Sequence, residues 1–331
     1  MIPAPRRTIR NFVPLINRVS KQHLLTPSRS HTTMSASNSS LSTNSPPSSQ
    51  AHSLPSDPSV IYPKKSPLAG AAGGNPPATK SLTIKVSDAR DGAVPGVLHL
   101  PHNYDHATQS SVQKTGTAAI LVSGASGGLV GPSSVYLGMA TKLASLNQGI
   151  PVLRLDYRYP ARNQYCVADV LAAMSYLERE HAISRFVLVG WSFGGAPVFT
   201  VAGNDKRVVG CATVASQTAG TDGIEKLAPR PVLLLHGLRD QTLGSHCSES
   251  LYRRYGEAGV RELKLFEGDD HALTRNAKEA EEMLCRFAMR CAGIEEREGE
   301  TELVRKEVIE DRDRVELMEK AGDLGGEERV R

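Results

Sequence analysis

The stretch Phe186-Val187-Leu188-Val189-Gly190-Trp191-Ser192-Phe193-Gly194-Gly195 reads as an apolar strand that turns sharply into a helix around Gly-x-Ser-x-Gly. So tight a turn crowds the backbone, and positions beside the serine must be small. Gly190 and Gly194 meet that need. The turn lifts the Ser192 hydroxyl above the strand end, at the positive end of the following helix, where a developing oxyanion is stabilised. That is the setting of a nucleophile for acyl transfer. A second match, Gly124-Ala125-Ser126-Gly127-Gly128, shows that the pattern alone is not specific. Context favours Ser192, because an elbow of this kind is followed in the chain by its acid and then its histidine.

Asp240 is the expected acid. It follows Pro231-Val232-Leu233-Leu234-Leu235-His236-Gly237-Leu238-Arg239, an apolar strand that ends in a glycine loop. A carboxylate there can accept the Nδ1 proton of a histidine and fix its tautomer. Asp222, after the preceding strand, is the alternative. His271, in Phe266-Glu267-Gly268-Asp269-Asp270-His271, is the expected base, again just past a strand and before a helix. His236 competes but ends its strand before the loop that carries the acid.

An oxyanion hole needs two backbone N–H donors. One is expected from Phe193. The other is expected from the loop after the third strand, with Ala125 favoured and Ser126 next. Trp191, Tyr157 and Arg158 are candidate substrate contacts. Packing beneath the elbow is the plainer role for Trp191, and a surface salt bridge the plainer role for Arg158. The chemistry expected is acyl transfer to water: His271 takes the Ser192 proton, and Asp240 supports the imidazolium. No H-E-x-x-H or comparable ligand spacing occurs, so neither a metal nor a cofactor is expected.

These groups need elements to position them. Ser81–Ser87 and Val94–Leu100 read as a hairpin around Asp88–Gly92. Strand-like runs follow at Ala118–Ser123, Val152–Tyr157, Phe186–Gly190, Val208–Val214, Val232–His236 and Glu262–Phe266. Helical patterns fill the gaps at Ser134–Leu146, Val167–Glu180, after Phe193, at Ser248–Gly256 and at Ala277–Arg290. Continuous apolar strands between amphipathic helices imply an α/β fold, a mostly parallel doubly wound sheet with an N-terminal antiparallel edge hairpin. Between the sixth and seventh strands only Ala215–Arg230 intervene, too few for a helical lid, which predicts a fairly open site.

The ends of the 331-residue chain differ from this middle. Residues 1–80 carry nine Lys or Arg and a single acid, Asp57, and are rich in Ser and Pro. They are expected to be disordered. Their composition is that of a mitochondrial transit peptide, and a disordered basic tail fits equally, so the expected location is mitochondrial or cytoplasmic. Residues 293–331 carry eight basic and fourteen acidic side chains and are expected as a charged helical or disordered tail. Val304, Val308, Val315 and Met318 lie near helical spacing there, but Asp311 interrupts the stripe. The net charge of +4 reflects these opposed ends, and no nucleic-acid surface is read from it. No apolar run reaches the roughly 18 residues of a membrane span. The five cysteines form no C-x-x-C pair, which favours a reducing compartment over a disulfide framework. The expected partner is a small-molecule acyl substrate.

Elbow, acid loop and histidine loop together resemble the α/β-hydrolase superfamily over residues 81–292. The short form, with Leu235-His236-Gly237 leading to Asp240 and Leu265-Phe266 leading to Gly268 and His271, is similar to dienelactone-hydrolase-like and peptidase-tail-like members. The resemblance implies a serine hydrolase acting on an ester, thioester or related acyl bond. Two departures stand out. Dienelactone hydrolases proper carry cysteine where Ser192 stands, and many members carry His-Gly where this chain has Ser123-Gly124. Two other readings compete. A non-catalytic scaffold would keep the fold for binding alone. A short-chain-dehydrogenase-like reductase would use Ser123–Leu129 as a glycine loop, but Val130 stands where a further glycine is needed, and no tyrosine is followed four positions later by lysine.

Overall fold

The computed structural model describes residues 54–63, 77–102, 104 and 116–325. The transit-peptide reading therefore lies almost wholly outside the described residues. Eight strands form one sheet in the order β1-β2-β4-β3-β5-β6-β7-β8. β1 (Ala78–Lys85) and β2 (Ala93–Leu100) make the edge hairpin, and β2 also runs antiparallel to β4 (Val152–Leu155). From β4 onward every pairing is parallel: β3 (Thr117–Val122), β5 (Arg185–Trp191), β6 (Val208–Val214), β7 (Val232–Gly237) and β8 (Arg261–Phe266). The expected fold class is the observed one.

The central strands are apolar on both faces because helices cover both. Ala119, Leu121, Val187, Val189 and Trp191 face a core shared with α2 (Val135–Ala144) and α6 (Ala277–Ala292). Their neighbours Ala118, Ile120, Val122, Phe186 and Leu188 face the other core, with α3 (Asn163–His181), α4 (Gly195–Asn204) and α5 (His246–Tyr255). The alternation is the two-residue period of a strand. Each fully buried Leu, Val or Phe contributes about 1.5–3 kcal/mol of transfer free energy, which makes these layers the main source of stability.

The acidic C-terminal region is packed onto the domain. α7 (Glu298–Arg305) and α8 (Asp311–Ala321) bury Val304, Leu317 and Met318, while Val315 is exposed. The stripe expected through residues 304–318 is not continuous because the helix breaks between the two segments. Asp311, which interrupts it, begins α8 and places its charge at the favourable end of the helix dipole. Docking uses buried charge as well as apolar surface. Lys142 of α2 lies 2.7 Å from Glu281 of α6 and donates to the Val304 carbonyl at 2.7 Å. Arg314 of α8 lies 3.5 Å from the same Glu281 and donates to the Ser133 carbonyl at 2.9 Å. A short helix, α1 (Pro58–Ile61), abuts α8, with Asp57 at its N-cap 3.2 Å from Lys320.

Candidate active site

Ser192 sits at the C-terminal end of β5 with φ of +54°, in the left-handed region that a non-glycine residue adopts at a cost. The strain is held by the surroundings. A Cβ on Gly190 would strike the Gly194 carbonyl. A Cβ on Gly194 would come within 2.6 Å of the Ser123 carbonyl oxygen, so elbow and 123–131 loop are in direct contact. The chain continues through one 3-10 turn, Ser192–Gly194, into α4.

Asp240 follows β7 and its carboxylate is fully buried. One oxygen, Oδ1, accepts the N–H groups of Thr242 and Leu243, both at 2.8 Å. The other, Oδ2, lies 2.7 Å from His271 Nδ1 and 3.1 Å from His236 Nε2. Burial alone would raise the carboxyl's pKa, but the hydrogen bonds from His236 and His271 outweigh it and hold Asp240 well below the usual carboxylate range. Asp222 lies elsewhere, paired with Arg254 at 2.6 Å and exposed. Of the two acids considered, the structure brings Asp240 to His271.

His271 occupies a loop built by its own acidic neighbours. Asp269 is fully buried and accepts from the backbone N–H groups of Asp270, Arg275 and Asn276 and from the Asn276 side chain, at 2.8–3.1 Å. Asp270 accepts from Ala272 and Thr274. From the other side, Trp191 Nε1–H donates to the His271 carbonyl at 3.0 Å, and the two rings lie 5.5 Å apart. The residue before Ser192 thus anchors the loop that carries the histidine. A neutral His271 that donates from Nδ1 presents Nε2 as its acceptor nitrogen. His236 plays a different part. Its Nε2 faces both Asp240 and the Leu243 carbonyl (2.8 Å), so the proton sits there, and Nδ1 accepts from Ser248 Oγ at 2.7 Å.

The 123–131 loop stands beside the elbow. Its Ser123 carbonyl accepts from Tyr157 Oη at 3.0 Å, and Asp156 accepts the Gly128 N–H at 2.9 Å. Ala125 and Ser126, the expected second donors, lie within this loop, and Phe193 directly follows Ser192. Three consecutive N–H groups further along, those of Leu129, Val130 and Gly131, point at the Asp323 carboxylate. That carboxylate comes from the chain itself and already takes the N–H groups that the reductase reading would offer to a phosphate, which counts against that reading.

The expected substrate contacts are placed differently. Trp191 is 1% exposed and Tyr157 0%, and both spend their polar atoms on backbone carbonyls. Arg158 is buried between Asp169 at 2.5 Å and Asp88 at 2.7 Å and also donates to the Asp91 carbonyl, tying the edge hairpin to α3. Trp191 and Tyr157 thus hold the loops beside Ser192, while Arg158 joins the edge hairpin to α3. The reason for Arg158 is a partner invisible as a local motif: Asp169 lies one helix further on. Phe193 packs edge-on against Tyr157, with ring centres 6.0 Å apart.

The connection between β6 and β7 contains only the 3-10 turn Asp222–Lys226, so no lid is inserted there. Ser192 and His271 are nonetheless 4% and 3% exposed, less open than the missing lid predicts. What lies against the 123–131 loop is the segment after α8. Burial pushes all five thiols up, Cys285 and Cys291 to about 12, which disfavours a thiolate nucleophile. Among the described residues, no group of His, Cys, Asp or Glu is arranged to hold a metal ion, and no helix is long and apolar enough to cross a membrane.

With this geometry established, comparison with known proteins gives the class. A profile described as the alpha/beta hydrolase family matches residues 119–303, more than half of the chain. The chain belongs to the alpha/beta hydrolase family. Among solved structures, dienelactone hydrolase from Anabaena variabilis is similar at 14% identity and a TM-score of 0.53, covering 65% of this chain and 98% of that one. Est1E from Butyrivibrio proteoclasticus is similar at 15% identity and 0.51, covering 64% and 99%. A puromycin-hydrolysing peptidase of Mycobacterium tuberculosis is similar at 17% and 0.51, covering 66% of this chain but 40% of that one. At these identities the likeness is one of fold. No curated protein sequence matches the chain.

Proposed function

We propose that this protein is a serine hydrolase that cleaves a carboxylic ester, thioester or related acyl bond through an acyl-enzyme. Ser192 is the nucleophile, His271 the general base and Asp240 the orienting acid. The observation that carries the reading is the 2.7 Å pairing of His271 Nδ1 with Asp240, on a loop that Trp191 ties to the strained elbow. His271 Nε2 takes the Ser192 proton as Oγ attacks the acyl carbon, then returns it to the departing alkoxide or thiolate. The tetrahedral oxyanion rests on the N–H of Phe193 and one from Ala125 or Ser126. Water, activated by the same histidine, releases the acid. Membership of the alpha/beta hydrolase family supports hydrolysis as the reaction class. A mitochondrial or cytoplasmic location remains part of the proposal, as does a small acyl substrate.

The test is labelling with a fluorophosphonate probe, which esterifies an activated serine. Wild type should label at one site and the Ser192→Ala variant should not. Absence of label on folded wild type would favour the binding scaffold.

A further inference from the structure

We propose that Asp323 is a positioning residue for this reaction: from beyond α8 its carboxylate moulds the 123–131 loop into the shape that offers an oxyanion donor beside Ser192. The inference rests on the Ser192 reading above and adds to it a residue that touches no substrate.

Asp323 is fully buried, and both its oxygens are committed to the loop. Oδ1 accepts the Gly131 N–H at 2.7 Å and the Ser123 hydroxyl, and Oδ2 accepts the Leu129 and Val130 N–H groups at 3.0 Å each. Successive N–H groups turned to one side make a concave anion site, and here its anion is built into the chain. Gly128, at φ +100°, leaves the space: a Cβ there would lie 2.5 Å from the Asp323 carboxyl carbon. Two residues on, the Gly325 N–H donates to Ser126 Oγ at 2.9 Å, and that hydroxyl donates to the Gly325 carbonyl. The segment therefore grips the loop at its start, at its middle and along its far side.

The opposite faces of the loop are held by the body of the domain. Arg154 of β4 is buried and donates at 3.2 Å to the carbonyl of Leu129, whose N–H faces Asp323. Asp156 accepts the Gly128 N–H, and the Tyr157 hydroxyl donates to the Ser123 carbonyl. The loop is thus clamped between the end of β4 and the C-terminal segment, with Gly194 of the elbow against the Ser123 carbonyl. Buried donors deprived of their acceptor must find another or reach water. Without Asp323, four groups in a nine-residue stretch would do so by moving the loop that carries Ala125 and Ser126. Loss of one oxyanion donor costs about 100- to 1,000-fold in rate, and misplacement costs part of that.

The experiment compares wild type, Asp323→Asn and the gentler Ser123→Ala, which removes the hydroxyl bond to Asp323 but keeps every backbone N–H. Each is assayed for p-nitrophenyl acetate hydrolysis per fluorophosphonate-titrated site and for amide hydrogen exchange over residues 123–131. For Asp323→Asn we expect kcat to fall roughly 10- to 100-fold with KM within about threefold, because oxyanion bonds act mainly in the transition state. Exchange in the loop should rise in both variants. A role in stability alone would lower the melting temperature but leave kcat per titrated site unchanged. Unchanged kcat in a labelled, folded Asp323→Asn protein, or unchanged loop exchange, overturns the proposal while Ser192 keeps its role. Should Asp323→Asn fail to fold, Ser123→Ala, which deletes one of the four bonds to Asp323, decides on the same two readouts. Wild type that neither labels nor hydrolyses ester overturns the Ser192 reading, and this one with it.

Discussion

Asp240 holds two histidines on one oxygen: His271 Nδ1 at 2.7 Å and His236 Nε2 at 3.1 Å both meet Oδ2. The two bonds have different consequences. One fixes the tautomer of the proposed base, and the other fixes the carboxylate.

Replacing Asp240 with asparagine tests the first bond. An amide can offer its NH2 to His271 Nδ1, which favours the tautomer with the proton on Nε2 and removes the lone pair that the proposed base needs. The kcat for ester hydrolysis should fall by about 10,000-fold, the scale of such a tautomer error. A loss below tenfold would mean that Asp240 does not orient His271.

His236→Ala tests the second. Asp240 is held below its usual pKa against the opposing effect of burial, and His236 supplies the first of the hydrogen bonds that lower it. A depressed carboxyl contributes stability that is present above its unfolded value and lost as pH falls through its folded value. Removing His236 raises that folded value, so acid unfolding followed by near-ultraviolet circular dichroism should begin at higher pH than in wild type. An unshifted acid limb would show that His236 leaves Asp240 unperturbed.

Arg158 separates support from recognition. Its guanidinium lies between buried Asp169 and Asp88, so Arg158→Met strands the Asp169 charge and should cost about 3–5 kcal/mol in denaturant unfolding. KM values for acidic and neutral esters should then move together. A selective loss for acidic esters would restore a substrate role.

Asp323 supplies a pH signature. Burial pushes its carboxyl up to about 7, although the Ser123 hydroxyl and the Leu129, Val130 and Gly131 N–H groups pull it down. Buried Arg154 faces the same loop from β4. A raised carboxyl contributes stability that is full below its unfolded value and is lost as pH rises through the folded value. Between pH 5 and 8 the wild-type melting temperature should therefore decline relative to that of Asp323→Asn, whose side chain does not titrate. A constant gap across that range would contradict the assignment.

Much of this fold was legible because strand and helix periods are local. Buried runs such as Ala118–Ser123 and Val232–His236 announce a covered parallel sheet, and Gly190 and Gly194 announce the elbow. The acid and histidine loops follow from chain order. What stayed hidden depends on contacts across long separations. Arg158 finds Asp169 through the start of α3, and Trp191 finds the His271 carbonyl eighty residues on. Asp323 sits among fourteen acids in the final stretch, with nothing in its neighbours to set it apart. The Asp269-Asp270 pair before His271 organises its loop only through residues further on, Arg275 and Asn276 among them.

The bond between Ser123 and Asp323 closes a circuit of two hundred residues. Contacts so remote in sequence are entropically late, because a long stretch must be ordered before they are rewarded. The sheet from β3 to β8 and the contact of Trp191 with His271 involve chain that ends well before the tail. Refolding should therefore show two clocks: indole fluorescence recovers as the layers assemble, and probe reactivity at the elbow matures afterwards, when the C-terminal carboxylate reaches its nest.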